Sequence, residues 1–570
     1  MGWIFGAMGD LKAADLKSLR SIHSPALMTA TEGGLYLAAG GIPSTCLTHR
    51  QDGNGWIVCG TGLLSGNGKY SIMDTDDWNR TLSPEKPWLD DLNGHFVILK
   101  WSTDKLELFT DKLGLRDIYF TTSYGRLFFS TRLDWLCKTA GGFELDISQF
   151  GSSWLCYNQL STGSIIKNIT RLGPGGYALY RNKKLELSQC SWDRHSRPVE
   201  PEYCQSILKA VLSAPFNSGR NITLGLSGGL DSRLLLSLLR GQNQANWETH
   251  TFGPPDHPDV LVAGRIARQE DLPHTFLGSR PISQDSALSI LRDHVSQTGP
   301  VVTASSTLQF TNFTFLNERN LFLVDGGCGE FGRRAYLKNL AYKASGAVAQ
   351  GDLQRIFPFL RYNRGDIFTA AVTEAMTSAA FSQAGDITNS LPSPGQIGLD
   401  NWIDLLALRT RMPNFYGLEQ SRLDCQIQNF MPFAQSVFLD HILNLAVYLR
   451  KDGKFYKTMI RDNCQALQKY PLVKDVTHPF GFNSIQAHLW TTAKKCFSPV
   501  KVQSPQVGYL DVLSEYINDT SLSSSVKSFP LYNYKFILEN ITKYYRGEKH
   551  LAPFLDWWLS FEVWRRELGL

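Results

Sequence analysis

The sequence contains no apolar run of membrane-spanning length, no lysine- or arginine-rich segment and no secretory signal at its start. A transmembrane helix needs about 20 consecutive apolar residues, so we expect no membrane association. The net charge of +5 is small for 570 residues, which argues against nucleic acid as the main partner. The opening stretch MGWIFGAMGDLKAADLK has no basic segment before its short apolar part, and we therefore expect a cytoplasmic location.

The ten cysteines form no C-x-x-C pair and no cluster with histidine at zinc-binding spacing. A structural zinc site needs several such ligands close together, and disulfides are rare in the cytoplasm. We expect reduced, mostly buried thiols with neither a metal nor a disulfide role.

Two sections of the chain differ in their pattern. Residues 1–195 contain short apolar or alternating runs, such as GHFVILKWS and KLELFTDKLG, split by turn residues, which is typical of strands. Residues 200–570 begin with alternating strand and helix patterns, which favour a parallel sheet, and long helical patterns dominate beyond about residue 330. Because this length exceeds what one core supports, we predict an α/β multidomain protein, with a β-sandwich domain over 1–195 and an α/β domain with a helical C-terminal part over 200–570.

A Ser-Gly-Gly turn joins an apolar run to a leucine-rich helix in LGLSGGLDSRLLLSLL. A parallel strand ending in such a loop directs backbone N–H groups and the positive end of a helix dipole at one point, which favours a phosphate. Glycines allow close backbone approach, the serines offer hydroxyl donors, and the aspartate can cap the helix or bind Mg²⁺. We predict a phosphate-binding loop made of Leu226, Ser227, Gly228, Gly229, Leu230, Asp231 and Ser232. The alternative is a capped strand-to-helix turn without a ligand.

The motif S-G-G-L-D-S resembles the signature of the PP-loop pyrophosphatases, which cleave ATP between its α and β phosphates and form acyl-adenylates. With WLDDLNGHFVILKWSTDKLELFTDKLGLRDIYF, ITRLGPGGYALY and QNFMPFAQSVFLDHILNLAVYL, the chain resembles the asparagine-synthetase-like family over most of its length. The resemblance implies a class II glutamine amidotransferase-type domain with an Ntn-type αββα fold, followed by a PP-loop ATP-pyrophosphatase domain. It implies ATP and Mg²⁺ as cofactors and places Phe252 and Gly253, at the tip of the next strand, near the adenine.

The first domain departs from the family at the residues that hydrolyse glutamine. A working glutaminase of this class uses a cysteine exposed at the N-terminus as its nucleophile, whereas Gly2 follows the first methionine here. The glutamine-holding Asn-Gly-Glu of the family is replaced by CGTG at 59–62, and only Asp91 matches a glutamine-binding acid. We predict that this domain does not hydrolyse glutamine. β-Lactam synthetases and lasso peptide cyclases are relatives that have likewise lost the cysteine.

A second loop, VDGGCGEFGRRAY at 324–336, corresponds to the family's S-G-E-G-A-D-E-L-F-G-G-Y segment. The metal-binding aspartate of the family is Gly329 here, Glu330 matches the neighbouring acid, and Asp325 can restore a carboxylate for Mg²⁺. The alternative is that Asp325 caps a turn and Glu330 is solvated. Arg333 and Arg334 replace glycines, and they can bind pyrophosphate or an acidic substrate or be solvated surface residues.

The lysine that stabilises the adenylation transition state in the family has no clean match. Lys474 in PLVKDVTHPFGF is the nearest candidate, although Thr477 or His478 takes this slot if Phe480 is the anchor. We therefore predict the catalytic residues Glu330, Lys474, Arg333 and Arg334, the metal ligands Asp231, Asp325 and Glu330, and the further nucleotide contacts Gly326 and Gly327.

These patterns predict an ATP-dependent amide-forming ligase that adenylates a small-molecule or peptide carboxylate and transfers ammonia or an amine to it. One alternative is a lasso-peptide or β-lactam-type cyclase that uses the substrate's own amine. Another is a degenerate scaffold that binds nucleotide without turnover. We expect neither nucleic acid nor membrane as a partner, and whether the chain forms a homodimer is left open.

Overall fold

The computed structural model describes residues 2–66, 68–82, 92–139, 144–190, 192–194, 197–241, 246–278, 282–362, 364, 366–474, 476–497 and 505–570. Asp91, the matched glutamine-binding acid, lies outside the described residues.

Two antiparallel sheets form the first part of the chain, which confirms the sheet-rich pattern predicted there. One sheet has the order β11-β9-β10-β1-β3-β2, and the other has the order β13-β12-β8-β7-β5-β4, with β6 also paired to β5. Among the described residues of this part, the strands are β1 Trp3–Met8, β2 Met28–Glu32, β3 Leu35–Gly40, β4 Cys46–Gln51, β5 Asn54–Gly66, β6 Lys69–Ile72, β7 Asn93–Trp101, β8 Lys105–Thr110, β9 Tyr119–Ser123, β10 Arg126–Ser130, β11 Thr170–Arg171, β12 Gly176–Arg181 and β13 Lys184–Gln189.

The sheets face each other, and helices cover their outer faces. In β7, Val97 and Leu99 pack between the sheets, whereas Phe96 and Ile98 pack outward against the second helix. Because both faces are buried, this strand has a continuous apolar run instead of an alternating one. The arrangement is four-layered, with the helices α1 Ala13–Arg20 and α3 Leu133–Thr139 outside the first sheet and α2 Thr75–Leu82 outside the second. A fourth helix, α4 Ile147–Leu155, follows.

A parallel sheet forms the second part of the chain, as the alternating strand and helix patterns predicted. Its order is β16-β15-β14-β17-β18, and all four pairings are parallel. The strands are β14 Ile222–Gly225, β15 Trp247–Gly253, β16 His274–Gly278, β17 Phe322–Val324 and β18 Asn429–Phe430, and a separate antiparallel pair is formed by β19 Leu472–Lys474 and β20 Val476–His478.

Helices dominate the rest of the chain. They are α5 Pro201–Leu212, α6 Ala214–Asn217, α7 Leu230–Arg240, α8 Pro258–Gln269, α9 Gln284–Thr298, α10 Asn312–Glu318, α11 Gly329–Gly332, α12 Lys338–Lys343, α13 Ser345–Gln350, α14 Leu353–Ile356, α15 Ala370–Ser390, α16 Pro394–Ile397, α17 Leu399–Arg411, α18 Gly417–Leu423, α19 Ser436–Ile442, α20 Val447–Arg450, α21 Lys454–Asn463, α22 Ser484–Phe497, α23 Pro505–Val512, α24 Ser514–Leu522, α25 Ser524–Lys527, α26 Tyr534–Tyr545 and α27 Ala552–Leu568.

Two long helices suggested by the sequence are shorter than expected. The pattern SVFLDHILNLAVYLRK is divided between α19 and α20, because Ala446 adopts extended backbone with ψ 131°. The pattern KFYKTMIRDNCQALQKY gives α21 only as far as Asn463, because Cys464 leaves the helical region with φ −155° and ψ 83°. Apolar periodicity continues through both breaks, so it does not reveal them.

Packing crosses the predicted boundary between the two sections. Phe150 and Trp154 of α4 pack against Phe561 of α27. The side chains of Arg116 and Asp424 form an ion pair that is 1% and 0% exposed, respectively. The two sections therefore share buried contacts as well as having separate sheets.

No helix among the described residues is both long and apolar enough to cross a membrane. All ten cysteines carry free thiols, and six of them are buried. Burial raises the pKa of the Cys137 and Cys156 thiols to about 12, which makes these thiols poor nucleophiles.

Candidate functional site

The candidate site lies where the strand order of the parallel sheet reverses. Along the chain, the second and third strands lie on one side of β14, and the fourth and fifth lie on the other. In sheets of this kind, ligands bind in the crevice beyond the carboxyl ends of the strands at this reversal. The loop after β14 contains the S-G-G-L-D-S motif, and the loop after β17 begins at Asp325. The two loops touch, because a Cβ on Gly326 would lie 3.2 Å from the backbone nitrogen of Ser232.

The two serines of the motif close the loop on itself. The Oγ atoms of Ser227 and Ser232 lie 3.0 Å apart, and the N–H of Ser227 donates to Ser232 Oγ at 3.2 Å. The N–H of Gly229 donates to Ser227 Oγ at 3.1 Å. These bonds hold the loop in a tight bend at the start of α7, with the helix dipole directed at the crevice.

Gly228 anchors the loop to a distant segment. A Cβ at this position would lie 2.2 Å from Val473 Cγ2, so the absence of a side chain is required for this contact. The N–H of Val473 donates to the carbonyl of Gly228 at 3.0 Å, and the buried Arg233 guanidinium donates to the carbonyls of Tyr470 and Pro471 at 2.7 and 2.8 Å. The segment that contains β19 therefore packs on one side of the bend.

The loop borders a cavity of about 1140 Å³, which is large enough for a drug-sized ligand or a nucleotide. Nine of the predicted nucleotide or metal contacts line this cavity, namely Leu226, Ser227, Gly229, Asp231, Ser232, Phe252, Gly253, Asp325 and Gly326. Gly228 lies under Val473, Leu230 is in the apolar core, and Gly327 lies against Asp325 and Met431. The phosphate-loop prediction and the adenine-contact prediction thus meet at one cavity.

The far side of the cavity is aromatic. The rings of Phe252 and Phe313 meet edge to face with centroids 6.0 Å apart, and both line the cavity. His250 stacks on Phe252 with ring centroids 6.4 Å apart and also lines the cavity. Burial lowers the pKa of His250 to about 3, so this imidazole is neutral. Its Nδ1 shares a hydrogen bond of 2.7 Å with Thr223 Oγ1. This wall offers apolar, flat surfaces of the kind on which a base stacks.

The charged lining of the cavity is acidic. Asp231, Asp259, Glu318 and Asp325 line it, and no lysine or arginine is found among the described residues that do so. The Oδ1 atom of Asp259 accepts a hydrogen bond from the N–H of Gly228 at 2.9 Å. One backbone donor of the loop is therefore already bonded to a carboxylate. Polyphosphate would be repelled by these carboxylates unless a divalent cation accompanied it.

Asp231 forms a two-pronged ion pair with Arg333. The Nε and Nη2 atoms of Arg333 donate to the two carboxylate oxygens at 2.7 and 2.9 Å. Burial raises the pKa of Asp231, and Arg333 opposes that shift. A Cβ on Gly329 would lie 2.6 Å from Asp231 Cγ, so there is no room for the aspartate that the family carries at this position.

Glu330 is held by two tyrosines. The hydroxyls of Tyr336 and Tyr416 both donate to its Oε1 and lie 2.7 Å from each other. The guanidinium of Arg411 stacks 4.8 Å from the ring centroid of Tyr336 and 5.6 Å from that of Tyr416. Burial, together with the neighbouring Glu330, raises the pKa of both tyrosine hydroxyls, so they are neutral donors.

The predicted metal ligands do not form a ready-made cluster. Within the described part of the chain, no group of three or more His, Cys, Asp or Glu side chains is arranged to hold a metal ion. Asp325 accepts from the N–H of Gly327 at 2.5 Å, and burial raises the pKa of Asp325. Asp231 and Asp325 both line the cavity, whereas Glu330 faces the tyrosines.

Two of the predicted cations lie away from the cavity. Arg334 donates to Asp404 at 3.0 and 3.1 Å and pairs with Asp400 at 2.7 Å. Lys474, at the end of β19, is exposed and lines a second cavity, beside Tyr336. Of the predicted cations, Arg333 contacts a residue that lines this cavity, because it bonds Asp231.

The sequence did not single out several side chains that shape this site. Two of them have a local signal in the sequence: Asp259 lies at the start of the helix after β15, and Tyr336 is the last residue of VDGGCGEFGRRAY. Val473 and Tyr416 gave no local signal, because they reach the site from elements far away in the sequence.

The N-terminal region offers no space for a nucleophile at the second residue. A Cβ on Gly2 would lie 2.2 Å from the carbonyl oxygen of Thr45. The thiol of the neighbouring Cys59 is fully buried, and burial raises its pKa well above the usual value. A protonated, inaccessible thiol does not attack an amide.

Neither a protein-family profile nor a curated protein matches the chain. Among solved structures, the chain is similar to an allosteric regulatory enzyme of purine biosynthesis, with 13% identity, a TM-score of 0.22, and coverage of 48% of this chain and 64% of the other. It is also similar to glutamine phosphoribosylpyrophosphate amidotransferase from B. subtilis complexed with ADP and GMP, with 12% identity, a TM-score of 0.23, and coverage of 57% and 81%. The aligned part thus spans less than two thirds of the first of these chains. TM-scores this low assign neither a fold nor a function.

Proposed function

We propose that this protein is an ATP-dependent amide-forming ligase of the asparagine-synthetase-like type, which adenylates a carboxylate and transfers ammonia or an amine to it. The observation that carries the proposal is the cavity at the reversal of the parallel sheet. It brings the S-G-G-L-D-S loop, the loop that begins at Asp325 and an aromatic wall to one place. Nucleotide-binding sheets of this order use the same crevice.

In this proposal the adenine lies against Phe252 and Phe313, and the phosphates lie over the bend. The N–H groups at the start of α7 and the hydroxyls of Ser227 and Ser232 donate to phosphate oxygens. Asp259 leaves the N–H of Gly228 when the phosphates arrive, because two anions do not share one donor.

The acidic lining fits Mg²⁺ bound together with the nucleotide. Magnesium in phosphate-transfer sites is usually held by one or two carboxylates plus substrate phosphates, so a complete protein cluster is not needed. Asp325 and Asp231 are the carboxylates that would hold it, and when bound it would neutralise phosphate charge.

In this proposal Arg333 assists at the reacting phosphorus. Its side chain is 32% exposed, and the neighbouring Asp231 raises the pKa of Arg333 although burial lowers it. A fixed positive charge at this position stabilises the charge that develops when a carboxylate attacks the α-phosphorus. Arg334 is bound by Asp400 and Asp404, and it holds the loop that carries Arg333. Glu330 accepts hydrogen bonds from Tyr336 and Tyr416 and so fixes both tyrosines. Tyr336 and Lys474 line the second cavity, and in this proposal Lys474 contacts the carboxylate substrate there.

The nitrogen comes from outside the N-terminal region in this proposal. The absence of space at Gly2 and the buried thiol of Cys59 support a silent glutaminase domain. Free ammonia, a small amine or an amine of the substrate itself then attacks the activated acid, and the last case makes the protein a cyclase.

A nucleotide-binding scaffold without turnover is the second candidate. The observation that favours it is the ion pair between Asp231 and Arg333. Both oxygens of the Asp231 carboxylate accept from Arg333, whereas in a ligase this carboxylate would bind Mg²⁺.

Acid-dependent exchange of pyrophosphate into ATP separates the two candidates. A panel of carboxylic acids is tested with wild-type protein and with the Ser227→Ala/Ser232→Ala variant. A ligase gives exchange that depends on one class of acid and is lost in the variant, without hydrolysis of glutamine. Nucleotide binding without exchange for any acid identifies the scaffold, and glutamine hydrolysis by the wild-type protein contradicts the silent domain.

A further inference from the structure

A second cavity, of about 720 Å³, lies beside the Glu330 cluster, which consists of Glu330 and the two tyrosines that donate to it, Tyr336 and Tyr416. Its charged lining is entirely basic: Lys338, Arg411 and Lys474 line it, and none of its described lining residues is Asp or Glu. Its volume is in the range of pockets that take small organic ligands. The charge of the lining selects an anion.

Two of the cations of this cavity, Lys338 and Lys474, repel each other, and Lys338 is partly desolvated. Lys338 is half-buried, and burial, followed by the charges of Lys474 and Arg333, lowers the pKa of Lys338. Its Nζ donates to Ser484 Oγ at 3.1 Å, a neutral partner. The Nε of Arg411 is buried and makes no hydrogen bond within the described structure. A bound carboxylate would relieve the repulsion between Lys338 and Lys474 and accept hydrogen bonds from their ammonium groups.

Much of the remaining wall of the cavity is apolar. It includes the buried side chains of Leu340, Leu360 and Leu406. On α22, Ile485 and Leu489 also line it, although they are 68% and 63% exposed. Large aliphatic side chains at a cavity rim are covered when a ligand with an apolar body binds.

The Glu330 cluster connects the second cavity to the nucleotide cavity. Tyr336 lines the second cavity and donates to Glu330. Lys338 lies within electrostatic reach of Arg333, which is bonded to Asp231 of the nucleotide cavity. An acid bound at Lys338 would therefore lie on the side of the phosphate site that carries the Arg333 charge.

We propose that this second cavity binds the carboxylate substrate, and that the substrate is an acid with an apolar body, held through its carboxylate by Lys338, Arg411 and Lys474. The role as substrate rests on the proposed ligase function, whereas the binding of such an acid does not. A small polar acid such as aspartate would leave the aliphatic wall uncovered.

Calorimetric titration of the full chain with 4-phenylbutyrate tests the binding, with 4-phenylbutan-1-ol as the uncharged probe and ATP with Mg²⁺ as a separate titrant. Lys338→Met should weaken phenylbutyrate binding about tenfold, since a charge-assisted hydrogen bond is lost. The same variant should change alcohol binding by less than about twofold. Leu489→Asn should weaken both probes about threefold, because apolar contact is lost. The matched controls, Lys543→Met and Leu522→Asn, replace exposed residues of α26 and α24 and should leave both affinities unchanged.

The outcomes distinguish this proposal from the ligase function. No phenylbutyrate binding below about 10 mM, or equal losses in Lys338→Met and Lys543→Met, overturns the acid site even if ATP binds. Acid binding with the expected variant pattern in a protein that does not bind ATP supports the acid site and overturns the ligase. An unchanged unfolding midpoint in urea shows that Lys338→Met folds, whether or not the protein binds ATP.

Discussion

Substitution of Gly228 by alanine tests whether the phosphate-loop candidate depends on its contact with β19. The added Cβ would lie 2.2 Å from Val473 Cγ2 and 2.9 Å from Val473 Cβ. Carbon atoms in contact are about 3.5–4.0 Å apart, so the loop and the strand must separate by more than about 1 Å. This separation weakens the hydrogen bond from the N–H of Val473 to the carbonyl of Gly228.

The expected cost combines two effects. Forcing an extra carbon into a packed contact costs about 1–3 kcal/mol, and a weakened backbone hydrogen bond adds about 1 kcal/mol. Gly229→Ala is the matched control, because the nearest atom to its Cβ is Ser227 Oγ at 3.1 Å and its backbone, with φ −74° and ψ 170°, suits alanine. We expect Gly228→Ala to lower the free energy of unfolding by about 2–4 kcal/mol and Gly229→Ala by less than about 1 kcal/mol.

Urea denaturation and ATP titration measure these effects. The double variant Gly228→Ala/Val473→Ala removes the colliding Cγ atoms and should recover at least about half of the loss, a coupling typical of residues in contact. ATP affinity should fall in Gly228→Ala and recover in the double variant. Equal stability of Gly228→Ala and Gly229→Ala, or no recovery in the double variant, would refute the contact.

Three further predictions concern ionisable groups. Arg116→Met should lower the free energy of unfolding by about 3–5 kcal/mol, because Asp424 is left buried without its partner, and Asp424→Leu in the same chain should recover most of this loss in urea denaturation. Burial lowers the pKa of His250 from 6.5 to about 3. Below pH 6.5 the His250 imidazole therefore binds a proton in the unfolded chain but not in the folded chain. Stability from this group is complete above pH 6.5 and is lost as the pH falls towards 3; the wild type should lose about 1 kcal/mol more than His250→Gln between pH 7 and pH 5.5, and equal losses would contradict this. Asp231→Asn should reduce acid-dependent pyrophosphate exchange at least about a hundredfold, since it removes a Mg²⁺ carboxylate and frees Arg333, and exchange within a factor of about two of the wild type would remove Asp231 from the reaction.

Local patterns predicted the parts of the site that one segment builds. The bend at Ser227–Ser232 and the tip of β15 at Phe252 were identified because the residues that shape the backbone there are neighbours in sequence. Their meeting at one cavity follows from the parallel sheet, which brings the carboxyl ends of the strands to one edge.

The partners of the charged residues could not be predicted in the same way. The sequence left Arg333 as either a pyrophosphate ligand or a solvated residue, whereas it pairs with Asp231, which lies 102 positions away. Glu330 similarly accepts a hydrogen bond from the hydroxyl of Tyr416, which lies 86 positions away in the sequence. Contacts at such distances depend on how helices pack, and neither motif spacing nor periodicity contains that information.

Calorimetric titration of the wild-type protein and the Ser227→Ala/Ser232→Ala variant with ATP, in the presence and absence of Mg²⁺, tests the nucleotide site most directly. The account predicts Mg²⁺-dependent binding to the wild type with a Kd below about 1 mM, and at least about tenfold weaker binding to the variant, which loses two hydroxyl donors. No binding at millimolar ATP with Mg²⁺, or equal affinity of the two proteins, would contradict it.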